Sequence, residues 1–241
     1  MRLAILSDIH GNLEALEAVL ADVDGRGVGA VACLGDFVGY GAAPNECIER
    51  LRPRLDVAVL GNHDAASLGN LRLGSFQSEA ASVARWTAGV LTAHSRAFLA
   101  GLDYALAWRG LWLVHASPSD PREWHYVLSL ADAAEEMPAF DGRVCLIGHS
   151  HLPGVYAAGP GGLGYTRGTE VTLAEGHRYL VNAGSVGQPR DGDPRAAYLL
   201  VDEDAGTLTH VRVEYDIEGA MARIRAAGLP PFLAERLRWG E

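Results

Sequence analysis

The chain contains no lysine: all 20 of its basic residues are arginine. Against 30 acidic residues they leave a formal net charge of −10. A surface of that sign repels a polyanion and argues against non-specific nucleic-acid binding. The missing lysine itself reads as genome composition or heat adaptation, not as function. Cysteine is scarce as well. Cys33, Cys47 and Cys145 are odd in number and far apart, which argues against a disulfide framework or a structural zinc cluster. Cys33 and Cys145 lie in apolar runs and are expected to serve packing. No segment approaches the roughly 20 uninterrupted apolar residues of a membrane span. The first residues enter a strand-like run with no basic region before it, so no signal peptide is expected and the expected location is the cytoplasm.

What is present points to a packed α/β fold. Hydrophobic residues make up 49% of the 241 residues and charged residues 21%, which places the chain among globular proteins. Short apolar runs at 2–7, 30–34, 56–60, 111–114 and 143–147 show little alternation, as expected of strands buried on both faces. Leu13, Leu16, Val19, Leu20 and Val23 recur at helical spacing behind Asn12, a residue suited to an N-cap. Pro44 opens a second helix to about Leu51. One or two helices are expected over 78–101, a short one over 129–137, and two more near 217–227 and 231–238. After residue 152, strand candidates at 153–157, 169–174, 178–182, 196–202 and 207–214 are separated by glycine-rich turns, notably Gly159 to Gly164. The reading is one domain over 1–241, with the later strands forming a second, more antiparallel sheet. Residues 71–101 form the largest insertion between motifs and are a candidate cap.

Each early run ends in chemistry. The first leads to Asp8 and His10, the second to Asp36, the third to Asn62, His63 and Asp64, the fourth to His115, and the fifth to His149 and His151. In open α/β sheets, ligands bind outside the carboxyl ends of the strands, so these groups are expected to converge on one edge. Carboxylates, an amide oxygen and imidazoles without thiolate suit Mn²⁺, Fe or Zn²⁺. Seven candidate ligands are too many for one ion that keeps an open position, but two ions sharing a carboxylate use them all. Such a pair attracts a phosphate ester and supplies a hydroxide nucleophile near neutral pH.

The ordered series of D-x-H (Asp8, His10), GD (Asp36), GNHD (Asn62, His63, Asp64), His115 and GHSH (His149, His151) resembles that of the calcineurin-like metallophosphoesterases. The stretch NAGSVGQPRDGDPRAAY at 182–198 extends the resemblance over most of the chain. The resemblance implies an αββα sandwich of two sheets flanked by helices. It implies that Asp8, His10, Asp36 and His151 hold a first divalent ion, and that Asp36 bridges to a second held by Asn62, His115 and His149. Mn²⁺ is the expected ion, with Fe, Zn²⁺ and Ni²⁺ as alternatives. His63 is implied as the catalytic group that faces substrate, stabilises phosphoryl oxygens and protonates the leaving group. The sequence departs from the phosphoprotein phosphatase branch and similar diadenosine tetraphosphate hydrolases. Their VDRG reads VGYG here, so Gly39 and Tyr40 replace the Asp that orients the histidine and the Arg that grips phosphate. Asp64 or a residue of 182–195 is the expected substitute.

Asn12, Arg190 and Arg195 are candidate substrate contacts, against the plainer readings of an N-cap and of solvated turn residues. Trp124, His125 and Tyr126 either line a pocket or form a packed loop. The expected function is a dinuclear phosphoesterase acting on a phosphodiester, a small nucleotide or a phosphomonoester. A metal-binding interaction scaffold with the same fold, and a one-metal enzyme for another ester or amide, are the rival readings. The expected partner is a small phosphorylated molecule, with no membrane and no nucleic acid, and a homo-oligomer remains open.

Overall fold

The computed structural model describes residues 1–70 and 78–241, and its order begins β1 (Arg2–Leu6), α1 (Leu13–Gly25), β2 (Val28–Cys33), α2 (Pro44–Leu51), β3 (Val57–Ala58), α3 (Asn62–Ser67). The middle of the chain holds α4 (Ser78–Val90), α5 (Ala93–Ala100), β4 (Ala105–Trp108), β5 (Leu111–Val114), α6 (Leu130–Glu136) and β6 (Val144–Ile147). The remainder is β7 (Gly154–Gly159), β8 (Gly162–Thr166), β9 (Glu170–Thr172), β10 (Arg178–Asn182), β11 (Ala196–Asp202), β12 (Thr207–Val213), α7 (Ile217–Ala226) and α8 (Pro231–Glu235).

Two six-stranded sheets result, ordered β3-β2-β1-β11-β12-β9 and β4-β5-β6-β10-β7-β8. Within the first, β1 pairs parallel with β2 and antiparallel with β11, so Ile5 faces Ala32 on one side and Leu199 on the other. The two-residue period of a strand then divides its side chains between two cores. Leu3 and Ile5 enter the space between the sheets with Leu113, Leu146, Val181 and Leu199. Ala4 and Leu6 face outward onto Leu16, Val19, Leu20 and Val23 of α1. On the far side, Cys145, Ile147 and Leu180 pack against Ala133, Met137 and Phe140. The layers are therefore helix, sheet, sheet, helix, as the sequence led one to expect.

The later strands do not form a sheet of their own. Strands β9, β11 and β12 extend the first sheet, and β7, β8 and β10 extend the second. Strand pairing is settled by which edge is free to receive a partner, and the free edges of β1 and β6 take β11 and β10. Strand β8 occupies the expected Gly159–Gly164 turn region, as an exposed edge strand hairpinned to β7. The apolar run 56–60 yields only two strand residues before the chain turns into α3. Of the candidate cap, residues 71–77 lie outside the described residues. Helix α4 places Val83 in an apolar cluster with Met221, Ile224 and Leu233 of α7 and α8.

The first sheet contributes the carboxyl ends of β1, β2 and β3, and the second those of β5 and β6. Ile5 is fully buried between the sheets. Ile5→Ala should destabilise the fold by about 2–5 kcal/mol, read from denaturant midpoints. A loss below about 1 kcal/mol would contradict a packed intersheet core at that position.

Candidate metal centre

The strand-end loops from both sheets meet at one margin. Asp8 N–H donates to Gly35 O, His10 N–H to Asp36 O, and Gly11 N–H to Phe37 O, so the loops after β1 and β2 remain laddered beyond their strands. Gly148 N–H donates to His115 O and joins the loops after β5 and β6. All seven expected ligands and His63 are buried. Five of the ligands have left-handed backbone: Asp8, His10, Asp36, His149 and His151, with φ between 50° and 65°. Non-glycine residues seldom adopt that conformation, and such strain concentrates at functional sites.

Three imidazoles are aimed in one way. His10 Nδ1 donates to Val38 O at 3.0 Å, His115 Nδ1 to Leu34 O at 2.8 Å, and His151 Nδ1 to Gln188 O at 2.6 Å. A carbonyl only accepts, so the proton sits on Nδ1 and Nε2 turns a lone pair inward. The carboxylates are split likewise. Asp8 Oδ2 accepts from Ser7 Oγ at 2.6 Å and from His149 N–H at 3.0 Å. Its Oδ1 points to His151 Nε2 at 3.2 Å and His10 Nε2 at 3.6 Å. Asp36 Oδ1 accepts from His63 N–H at 2.9 Å. Its Oδ2 lies 3.3 Å from His115 Nε2 and 3.6 Å from His10 Nε2.

The arrangement suits a cation. His10 Nε2 and His151 Nε2 stand 3.1 Å apart, lone pair against lone pair. His115 Nε2 and Asn62 Oδ1 are also 3.1 Å apart, again acceptor against acceptor unless a proton intervenes. Asp8 Oδ1 and His149 Nε2 are buried with no hydrogen-bond partner among the described residues. Such orphaned atoms carry a large desolvation penalty that a bound ion removes. Protonation answers only part of the demand. Burial would lower His115, but the charges of Asp36 and Asp8 raise it to about 9. Burial lowers His149 to about 3, with the His115 charge adding to it. Burial and the charge of Arg190 lower His151 to about 4 against the opposing pull of Asp8. Burial alone would raise both carboxyls. The facing imidazoles instead hold Asp8 well below its usual range, and His115 and His63 do the same for Asp36. Neutral His149 and His151 beside ionised Asp8 and Asp36 are in the protonation states of metal ligands, and an ion would displace the proton that the carboxylates hold on His115.

The donor atoms fall into overlapping groups, each within 4.8 Å: Asp8, His10 and His151; Asp8, Asp36 and His115; and His10, Asp36 and His63. The first lies within the set expected for one ion, and the second joins Asp8 of that set to Asp36 and His115. Asn62 joins the second through its contact with His115, and His149 lies beside His115 with ring centroids 5.1 Å apart.

The calcineurin-like phosphoesterase superfamily domain matches residues 1–206. The chain belongs to that superfamily. A crystal structure of a metallophosphoesterase from Sphaerobacter thermophilus is 40% identical, covers 100% of this chain and 99% of that one, and superposes with a TM-score of 0.87. An uncharacterized protein of Methanocaldococcus jannaschii is also 40% identical, over 99% of this chain and 98% of its own length. A hypothetical protein from Pyrococcus horikoshii shares the fold at 21% identity and a TM-score of 0.79, over 100% of this chain and 98% of that one. The phosphoesterase superfamily implies hydrolysis of phosphoric esters. No helix among the described residues is long and apolar enough to cross a membrane.

Asp64 of this phosphoesterase does not orient His63. Its Oδ2 accepts from Asp36 N–H at 2.8 Å and Gly61 N–H at 3.0 Å, and its Oδ1 accepts from Val38 N–H at 3.2 Å. It holds together the two loops that carry Asp36 and Asn62. Burial and the neighbouring Asp36 raise it to about 7. Glycine explains the VGYG departure. Gly39 has φ 96°, and a Cβ there would lie 2.6 Å from His63 Nδ1. The His63 ring occupies the room that a larger residue would need. Tyr40 packs on the other side at 4.4 Å and His10 meets the ring edge-on at 5.0 Å. Gly61 is forced in the same way, because a Cβ there would fall 2.0 Å from Asp36 Oδ1.

The other candidates divide. Asn12 caps α1 by accepting from Ala15 N–H and also donates to Gly187 O. Arg190 donates to Gln188 Oε1 and lies over the Tyr40 ring with 5.5 Å to its centroid. Arg195 is engaged within its own loop by Asp193. Tyr126 stacks on His149 at 4.1 Å while half exposed, and Trp124 meets His115 at 5.8 Å. Sequence reasoning passed over Ser7 and Gln188. The signal for Ser7 was its place beside Asp8, and for Gln188 its place in the 182–198 stretch.

Gly39→Ala should keep the full metal content but displace His63, lowering turnover of a phosphate ester by about 100-fold. Wild-type turnover in that variant would show that the glycine does not set the imidazole's position.

Proposed function

We propose that this chain is a dinuclear metal-dependent phosphoesterase that hydrolyses a small phosphodiester or phosphomonoester. One observation carries the reading: Asp36 Oδ2 faces both His10 Nε2 and His115 Nε2, so a single oxygen serves both halves of the centre. Asp8, His10, Asp36 and His151 would hold one divalent ion, and Asp36, Asn62, His115 and His149 the other. Bound there, two such ions supply positive charge that polarises phosphoryl oxygens and acidifies a water. Mn²⁺ is the ion we expect, and Fe, Zn²⁺ or Ni²⁺ suit the same donors.

The chain's own residues supply positioning and proton handling. His63 is fixed through its main-chain N–H to Asp36 and through the packing of Gly39, Tyr40 and His10 around its ring. Burial, first among several causes, keeps the imidazole well below its usual pKa, so it meets substrate as a neutral ring with one N–H. That N–H donates to a phosphoryl or leaving-group oxygen. Arg190 is close enough for its charge to act on both His63 and His151. Its guanidinium provides a forked donor for the remaining phosphoryl oxygens. The deep burial of the ligands keeps the local dielectric low and strengthens each of these contacts.

Protein stripped of metal and reloaded with Mn²⁺ should turn over bis-p-nitrophenyl phosphate, p-nitrophenyl phosphate or both. Inertness towards both, and towards nucleotides, would refute the assignment. His63→Asn should retain two ions while losing about 100- to 10,000-fold in rate. Loss of metal in that variant would make His63 a ligand instead.

A further inference from the structure

The loop after β10 is docked onto the loop after β1. Gly187 N–H donates to Asp8 O at 2.9 Å, Ser185 Oγ donates to Asp8 O at 2.8 Å, and Asn12 Nδ2 donates to Gly187 O at 2.8 Å. A Cβ on Gly187 would lie 1.8 Å from Ile9 O, so the close approach of the two loops requires glycine there. The next residue, Gln188, is 2% exposed. Its N–H donates to Ser185 Oγ at 2.8 Å, and its carbonyl accepts from His151 Nδ1 at 2.6 Å. With His10, Asn12 and Tyr40 it lines a small cavity. The main chain of Gln188 thus serves the metal centre directly.

Its side chain serves Arg190. Gln188 Oε1 accepts from Arg190 Nη2 at 2.9 Å and from Nε at 3.3 Å. Pro189 between the two is buried, and its ring fixes a backbone angle that sets their spacing. The guanidinium also lies over the Tyr40 ring, 5.5 Å from its centroid, and that ring meets His63 at 4.4 Å and His10 at 4.7 Å. Gln188 engages the Nε edge of the fork and leaves both N–H groups of Nη1. The identity of the holder matters. An amide oxygen is neutral, so it restricts a long side chain without cancelling its charge. A carboxylate in that place would form a charge-assisted pair, as Asp193 does with Arg195 at 2.6 Å in the same loop, and would repel an incoming anion.

We propose that Gln188 is the positioning residue for Arg190: its buried amide holds the guanidinium over Tyr40 at the margin of the centre and leaves the positive charge for a phosphoryl group. The proposal rests on the phosphoesterase reading and deepens it, because it names the group that aims the arginine. An arginine ordered in advance loses less freedom when the anion binds.

The test is equilibrium binding of orthophosphate to Mn²⁺-loaded protein at fixed free Mn²⁺, in Gln188→Met, Gln188→Glu, Arg190→Gln and the double variant Gln188→Met with Arg190→Gln. Met keeps the bulk and removes the acceptor, and Glu keeps the acceptor but adds a charge. Neither changes the carbonyl that His151 uses, so each variant should keep the wild-type metal content and melting curve. Gln188→Met should weaken phosphate binding about threefold or more, and Gln188→Glu about tenfold, the worth of one charge-assisted contact. In the Arg190→Gln background, Gln188→Met should cost nothing further. Wild-type affinity in Gln188→Met or in Gln188→Glu overturns the proposal. So does a loss from Gln188→Met that is the same with and without Arg190, or a loss of metal in either Gln188 variant. Turnover is not the readout, so the two readings fail separately. A protein that hydrolyses p-nitrophenyl phosphate but shows no coupling between Gln188 and Arg190 loses only the positioning role, and an inert protein with the full coupling loses only the catalytic reading.

Discussion

The centre depends on one repeated hydrogen bond. In His10, His115 and His151, Nδ1 donates to a main-chain carbonyl of another loop, at Val38, Leu34 and Gln188. Each bond fixes a tautomer, a ring plane and the direction of the opposite lone pair. Remove them and the Nε2 atoms are free to rotate away from one another. With them in place, His10 and His151 confront each other at 3.1 Å, a separation suited to a shared cation. The carbonyls come from loops at the strand ends, so the ladder that pairs β1 with β2 and continues through Asp8, His10 and Gly11 is also what aims the imidazoles.

The cost of this preorganisation is carried by the backbone. Left-handed conformations at Asp8, His10, Asp36, His149 and His151 are each unfavourable, and together they are sustained by buried polar networks. Asp64 illustrates the support. It makes no contact with substrate in this account, but its three main-chain donors hold the loop of Asp36 to the loop of Asn62. Because those loops leave β2 and β3 while His115 and His149 follow β5 and β6, the centre also fastens one sheet's margin to the other's.

Much of this was legible in the sequence because it depends on local pattern. Runs without alternation marked strands with apolar neighbours on both faces, and Leu3 and Ile5 against Ala4 and Leu6 show the two cores that such a run serves. Ligand-type residues closing five successive runs marked the edge at which they meet. The partition of the later strands was not legible. Strand pairing is a tertiary choice, and β11 and β10 were drawn to different sheets by the free edges of β1 and β6. Edge strand β8 was hidden by its glycines, which read as turn. Gly39 acts by lacking a side chain, and no motif announces an absence.

The central claim is that seven side chains hold two cations bridged by Asp36. The most direct measurement is anomalous diffraction at the manganese edge from crystals of Mn²⁺-loaded protein. The account predicts two peaks, about 3.5–4 Å apart, each within bonding distance of the Asp36 carboxylate. A single peak, or two peaks of which one has no contact with Asp36, would contradict it.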